Sequence, residues 1–287
     1  MTITAPKAPT KKRKKGISAW VPNQHGAWAM LISPAALGLV GAVVAMSRSK
    51  DLTWHPFIAV PAILVAWFFG YFAFFAFGLV ARARTARRKK QYLAPVLVYG
   101  PVSLVGIVAA LFAQPQLVWW ALFFAPLVTL AVWETLHGRA RSVVSGVSTT
   151  IASAILLPVL VMSGQNTTMG EIALPAWGSA IFLALYFTGT IPMVKTMVRE
   201  KGNQRFFYGS VAYHVMALAI VVALVVVGKA GAVASVLLIL TMVIALFRAW
   251  WLPVSARQGR PWTARTVGMA EVPVLLVACA GVIATLI

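Results

Sequence analysis

Ionisable side chains are scarce in this sequence, and most fall at the edges of long apolar stretches. Asn23, Gln24 and His25 open the first stretch. Glu134 and His137 close the fourth, followed by Arg139 and Arg141. Lys195 lies near the end of the sixth, with Arg199 and Glu200 just beyond. Arg248 ends the eighth, and Glu271 falls about one turn into the ninth, after Arg265. A charged group within a hydrocarbon layer is costly, so each of these residues is a candidate for function. Arg84 and Arg88 belong to a run, residues 82–90, with six positive charges in nine positions. Such a run can clamp phosphate oxygens through bidentate guanidinium contacts. It can also simply attract anionic lipid headgroups and set topology.

Each pattern carries a chemical and a structural reading. Glu134 and His137 are three apart and share a helix face. Glu-x-x-His is a ligand spacing in di-iron bundles, but that site needs a second copy and further carboxylates. One copy is present, so the spacing predicts a Glu–Arg or Glu–His pair at a helix end and no metal. His25, with Trp28 after it, reads as an interfacial helix start or as a functional group. His214, beside Tyr213, reads as a packed, hydrogen-bonded histidine or as a proton relay. Glu271 calls for an arginine partner, Arg265 or Arg248. No Walker loop, zinc motif, Gly-x-Ser-x-Gly elbow or dinucleotide fingerprint occurs, and no cofactor is predicted. The opposite membrane half offers only Asp51, His55 and Glu171, in or beside loops. The economical picture is a polar vestibule facing the cytoplasm. Its ligand-binding candidates are Asn23, Gln24, His25, Arg84, Arg88, Glu134, His137, Lys195, Arg199 and Glu271.

The elements that must position these residues follow from composition. The 287-residue chain is 61% hydrophobic and 10% charged, against about 25% charged in a soluble domain. Several apolar stretches reach the roughly 20 residues that cross a bilayer as a helix. The ten-residue alternation of a membrane barrel is missing, which leaves helices as the way to satisfy the backbone in lipid. The sequence predicts an all-α, polytopic transmembrane bundle of nine spans: 24–46, 56–81, 93–113, 116–136, 143–163, 175–197, 206–228, 230–252 and 266–287. A break within 206–252 would give eight. Residues 1–19 read as a basic cytoplasmic tail and 20–287 as the transmembrane domain. The net charge of +20 lies between spans and not on a soluble domain, so it points to membrane topology and away from nucleic acid. Connections on one side hold only Arg48, Lys50 and Lys229, which predicts N-in, C-out. The single cysteine, Cys279, lies in an apolar run and permits no disulfide within the chain. Prolines inside the spans read as ordinary irregularity or as a bundle bent around a cavity. Gly78 and Gly189 are followed by basic residues at matching offsets, a weak sign of internal repetition.

Residues 22–30, Pro-Asn-Gln-His-Gly-Ala-Trp-Ala-Met, resemble the opening of the YwiC-like family of bacterial membrane proteins. Residues 186–200 and the region from Arg87-Arg88 to Pro95 resemble that family too. This resemblance supplies an architecture and no activity. More distantly, the chain is similar to the UbiA-type intramembrane prenyltransferases, which have nine helices with the N-terminus inside. That likeness implies an active site between the inner ends of helices 2 and 6, with His25, Arg88, Lys195 and Arg199 around one opening. It also implies two Asp-rich motifs that hold Mg²⁺. Here the sequence departs: helix 2 and its loop have no Asp or Glu, and the helix 6 end has only Glu200. Mg²⁺-dependent prenyl transfer is therefore not supported, and enzymatic activity is not the favoured reading.

The function that follows is a multi-pass protein of the cell membrane. Its partners are the bilayer and anionic lipid headgroups, with an isoprenoid, quinone-type or phosphate-bearing lipid as ligand. The alternatives are a small-molecule or ion transporter, with His25, Glu134 and Glu271 as coupling groups, and an accessory protein of a membrane complex. A transporter needs polar lining in both membrane halves, while a lipid site can be one-sided, as the polar residues are here.

Overall fold

The computed structural model describes residues 18–22, 25–49 and 53–287, apart from the side chains of His25 and Ala264. Most of the basic tail, together with Asn23 and Gln24, lies outside the described residues. The helices run α1 (His25–Arg48), α2 (His55–Ala81), α3 (Ala86–Ala113), α4 (Ala121–Leu136), α5 (Val143–Gln165), α6 (Leu174–Val198), α7 (Gln204–Val227), α8 (Ala232–Arg257), α9 (Ala264–Met269) and α10 (Glu271–Leu286). A 3₁₀ turn, Pro115–Trp120, leads into α4. Among the described residues nine spans are long and apolar enough to cross a membrane. The all-α, nine-span reading holds, and residues 206–252 form two helices joined at the tight turn around Lys229, whose φ is 49°.

Three boundaries differ from the hydropathy reading. α3 begins at Ala86, not at 93, because Thr85 caps it through the Arg88 N–H and Arg, Lys and Gln are good helix formers. The basic run therefore winds onto the first turns of a helix. α8 continues to Arg257, which places Arg248 well inside the helix and not at its end. The ninth span is broken at Ala270. Pro273 follows Met269 by four residues, so it offers that carbonyl no N–H and its ring crowds it. α10 restarts there with Glu271 in its first turn.

Packing falls into two groups. α5 is the most buried span and packs on α1, α2, α4 and α6, while α2 pairs closely with α3. α6, α7, α8 and α10 form the second group, joined to the first through α1, α5 and α6. Between helices in lipid the hydrophobic drive is weak, and close packing of small residues takes its place. Gly164 of α5 is the clearest case: a Cβ there would lie 2.5 Å from the Ala42 carbonyl oxygen of α1. Leu157, Leu160, Phe182, Leu183 and Tyr186 fill the interior, while Leu97, Val105 and Phe112 of α3 stay exposed, as a lipid-facing surface requires. Connections α2–α3, α4–α5, α6–α7 and α8–α9 lie at one end of the bundle and carry most of the Lys and Arg. The other end carries Arg48 and Lys229 among the described residues. The first is called the basic end below.

Candidate functional site

A cavity of about 590 Å³ lies within the first group, walled by α1, α2, α3, the 3₁₀ turn, α4 and α5. Small residues create its volume: Ala66 and Gly70 on α2, Ala110 on α3, Ala131 on α4 and Ala152 on α5. Aromatic rings furnish it, chiefly Trp67, Tyr71, Phe74, Trp120 and Phe124. Trp67 Nε1 donates to the Leu31 carbonyl at 3.3 Å and ties α2 to α1. Trp120 Nε1 lies 3.3 Å from the Met162 sulfur and ties the 3₁₀ turn to α5. Trp67 and Phe124 sit 6.4 Å apart across the space. Pockets of this size, mostly apolar with a few placed polar groups, are the usual form of a small-molecule site.

Polar groups on the wall are hydroxyls. Ser148 Oγ donates to the Val144 carbonyl at 2.9 Å, Thr149 Oγ1 to the Ser145 carbonyl at 3.0 Å, and Ser103 Oγ to the Ala66 carbonyl at 2.8 Å. Ser153 Oγ donates to the Met30 carbonyl. Each has spent its proton on the backbone and keeps lone pairs to accept with. The Tyr71 hydroxyl has no hydrogen-bond partner among the described residues and remains a donor on the wall. Ser148 and Thr149 lie within two turns of the α5 N-terminus, so the polar part of the wall is toward the basic end. No Asp, Glu, Lys, Arg or His lines the cavity.

A second, separate cluster sits among α6, α7, α8 and α10. Arg248 Nη2 lies 2.5 Å from Glu271 Oε2, and the Tyr186 hydroxyl donates to Glu271 Oε1. Three features stabilise the carboxylate: the guanidinium, the phenol, and the start of α10, where backbone N–H groups leave partial positive charge. His214 Nδ1 donates to the Ser210 carbonyl at 2.7 Å, which leaves Nε2 facing α6. Only glycine fits there, since a Cβ on Gly189 would lie 2.8 Å from that nitrogen. Arg248 is 7% exposed, and its Nε has no partner.

The polar residues singled out from the sequence lie on several elements, mostly near the basic end. Arg84 and Arg88 are exposed at the α2–α3 connection. Glu134 is buried and paired with Arg139 at 2.8 Å, the Glu–Arg pair that the spacing predicts. His137 is exposed at the end of α4, with Nδ1 2.8 Å from the Trp133 carbonyl. Lys195 is half-buried at the end of α6, and Arg199 Nη1 donates to the Arg141 carbonyl at 3.2 Å. Glu271 takes Arg248 and not Arg265 as its partner. His214 is packed and hydrogen-bonded. Asn23, Gln24 and the His25 side chain lie outside the described residues. None of the described candidates lines the cavity, whose wall is apolar and not polar. α6 contributes nothing to the wall, so the basic-end tips of α2 and α6 do not flank this cavity.

Sequence reading missed Tyr71, Tyr186 and the hydroxyls of α5. Ser148, Thr149, Thr150 and Ser153 cluster within six positions of an otherwise apolar span, and that is the signal that could have found the cavity wall. Outside the spans, Glu171 closes a turn by accepting from the Thr168 N–H at 2.7 Å and from its hydroxyl at 3.0 Å. Those bonds hold its carboxyl below the usual carboxylate range. Among the described residues no three of His, Cys, Asp and Glu come together in a group that could hold a metal ion.

The model of one protein family, described as YwiC-like protein, matches residues 21–161. That segment contains every residue of the cavity wall. The chain is similar to the Uncharacterized protein YwiC of Bacillus subtilis (strain 168), with 28% identity over 260 residues, 89% of this chain and 93% of that protein. It is also similar to an Uncharacterized protein of Haemophilus influenzae, with 24% identity over 200 residues, 68% of this chain and 74% of the relative. No solved structure matches the chain.

Proposed function

We propose that this chain, similar to the YwiC-like family over residues 21–161, is a multi-pass protein of the cell membrane that holds a lipid's hydrophobic chain, of acyl, isoprenoid or quinone type, in the α1–α5 cavity. The observation that carries this reading is the cavity itself: about 590 Å³, apolar, and lined by aromatic rings and small residues. The cavity opens toward the surface at Ile107, Val118 and Val128, which are exposed, and a hydrocarbon chain entering from the membrane makes dispersion contacts with its rings and small residues. Rings such as Trp67 and Phe124 suit flat or branched chains. The Tyr71 hydroxyl supplies one donor for a carbonyl or hydroxyl on the ligand. In this reading the basic end faces the cytoplasm, as the uneven distribution of Lys and Arg supports.

Native mass spectrometry of the detergent-purified protein tests the reading. The wild type is expected to carry an adduct with a long hydrocarbon tail. Ala66→Phe, which puts a ring into the cavity, should remove the adduct while the protein stays monodisperse. A wild type without any bound lipid, or a folded Ala66→Phe protein with undiminished adduct, would overturn it.

A further inference from the structure

The cavity has a polar end, and two basic connections lie beyond it. α2 and α3 are joined through residues 82–85, and α4 and α5 through 137–142. All four of these helices wall the cavity. At the basic end α2 and α4 adjoin: a Cβ on Gly78 would lie 3.5 Å from Thr135 Cγ2. Arg82 folds over this seam, with Nε donating to the Gly78 carbonyl at 2.7 Å. Glu134, the acid beside the seam, is already spent on Arg139. Arg82, Arg84, Arg88 and Arg141 form no ion pair among the described residues. Phe74 and Ser148, both on the cavity wall, lie seven or eight residues from Arg82 and Arg141. At 1.5 Å per residue the seam stands about 10–12 Å beyond the polar end. The polar layer of one leaflet is about 5–8 Å deep, so a headgroup together with the first carbons of its chain spans that distance.

We propose that the occupant of the cavity is an anionic lipid, with its chain among α1–α5 and its phosphate at the seam of Arg82, Arg84, Arg88 and Arg141. This rests on the reading of the cavity as a chain-binding site and adds the headgroup chemistry. Guanidinium groups bind phosphate through paired N–H donors. Four of them without a carboxylate partner, set above an apolar slot, match an amphiphile with one anionic end. A positive surface that only sets topology would attract anions equally along the whole basic end.

The test is binding of matched lipids to the full-length protein in neutral detergent. The probes are phosphatidic acid, phosphatidylcholine and diacylglycerol with the same chains, and inorganic phosphate as a fourth arm. Phosphatidic acid is expected to bind at least tenfold tighter than diacylglycerol, with a ratio that shrinks as salt rises. Inorganic phosphate alone should bind far more weakly than phosphatidic acid. Arg82→Gln with Arg141→Gln should erase the preference and leave diacylglycerol binding intact. Lys201→Gln with Arg205→Gln removes the same charge at the α6–α7 connection and should leave the preference unchanged. Equal affinity for phosphatidic acid and diacylglycerol in the wild type overturns the proposal while the chain-binding reading stands. Equal loss from either double variant overturns the seam as the site. Failure of every lipid to bind overturns the chain-binding reading itself, and the proposal with it.

Discussion

Arg248 on α8 and Glu271 at the start of α10 meet at 2.5 Å inside the bundle, and the Tyr186 hydroxyl of α6 closes the group. Three helices are thereby fixed in mutual register at a point where the last span is broken. Removing one partner leaves an uncompensated buried charge, which costs about 3–5 kcal/mol. Arg248→Met should therefore lower the thermal unfolding temperature sharply in detergent. Arg248→Met combined with Glu271→Leu should recover most of the loss, since a well-packed apolar pair often replaces a buried ion pair without penalty. Equal stability of the single variant and the wild type would contradict the geometry.

The contact of α1 with α5 predicts a second stability effect. A methyl group on Gly164 would meet the Ala42 carbonyl oxygen at 2.5 Å, and backbone cannot turn aside as a side chain can. Gly164→Ala should cost about 1–3 kcal/mol, the range for overpacking, as measured by thermal unfolding. Ala42→Gly should not rescue it, because the obstacle is main chain. Rescue by that second change would show that the helices are farther apart than described.

These effects also show what was legible beforehand. All nine spans could be read, because a bilayer imposes a minimum apolar length that few other constraints mimic. The start of α3 could not, since Arg87–Arg88–Lys89–Lys90 carries no hydropathy signal although it is good helix-forming sequence. A partner for Glu271 was predictable because an isolated buried charge is untenable. Tyr186 was not, since a tyrosine in an aromatic span looks like any packed ring. The cavity was hidden for a related reason. Ala66, Ala110, Ala131 and Ala152 lie on four helices, and each alone looks like ordinary close packing. Charge drew the sequence reading to Arg84, Lys195 and Arg199, none of which lines the apolar cavity.

Topology can be read by labelling. With Cys279 replaced by serine, single cysteines at Thr53 and Thr167 should react with an impermeant maleimide added to intact cells. Cysteines at Thr85 and Thr263 should react only after the membrane is opened. The inverse pattern would place the basic end outside.

The turn at Glu171 predicts a small pH effect. Its carboxyl is held below the usual range by the Thr168 bonds. The ordering it contributes is thus complete above the ordinary carboxylate value and is lost only as pH falls through the lowered one. Hydrogen-exchange protection across residues 166–173, relative to the intrinsic rate at each pH, should stay constant from neutral pH into the mildly acidic range and fall below it. Glu171→Ala should show the lower protection at all these pH values. A transition at neutral pH in the wild type would rule out this account.

The central claim is that a lipid chain occupies the α1–α5 cavity. It is tested most directly by photo-crosslinking in membranes with a lipid that carries a diazirine along its tail, followed by peptide mapping. The account predicts adducts on the inward faces of α2, α4 and α5, at Trp67, Tyr71, Phe124 and Leu156, and their disappearance in Ala66→Phe. Adducts confined to outward residues such as Leu97, Val105 and Phe112 of α3, and unchanged in Ala66→Phe, would contradict it.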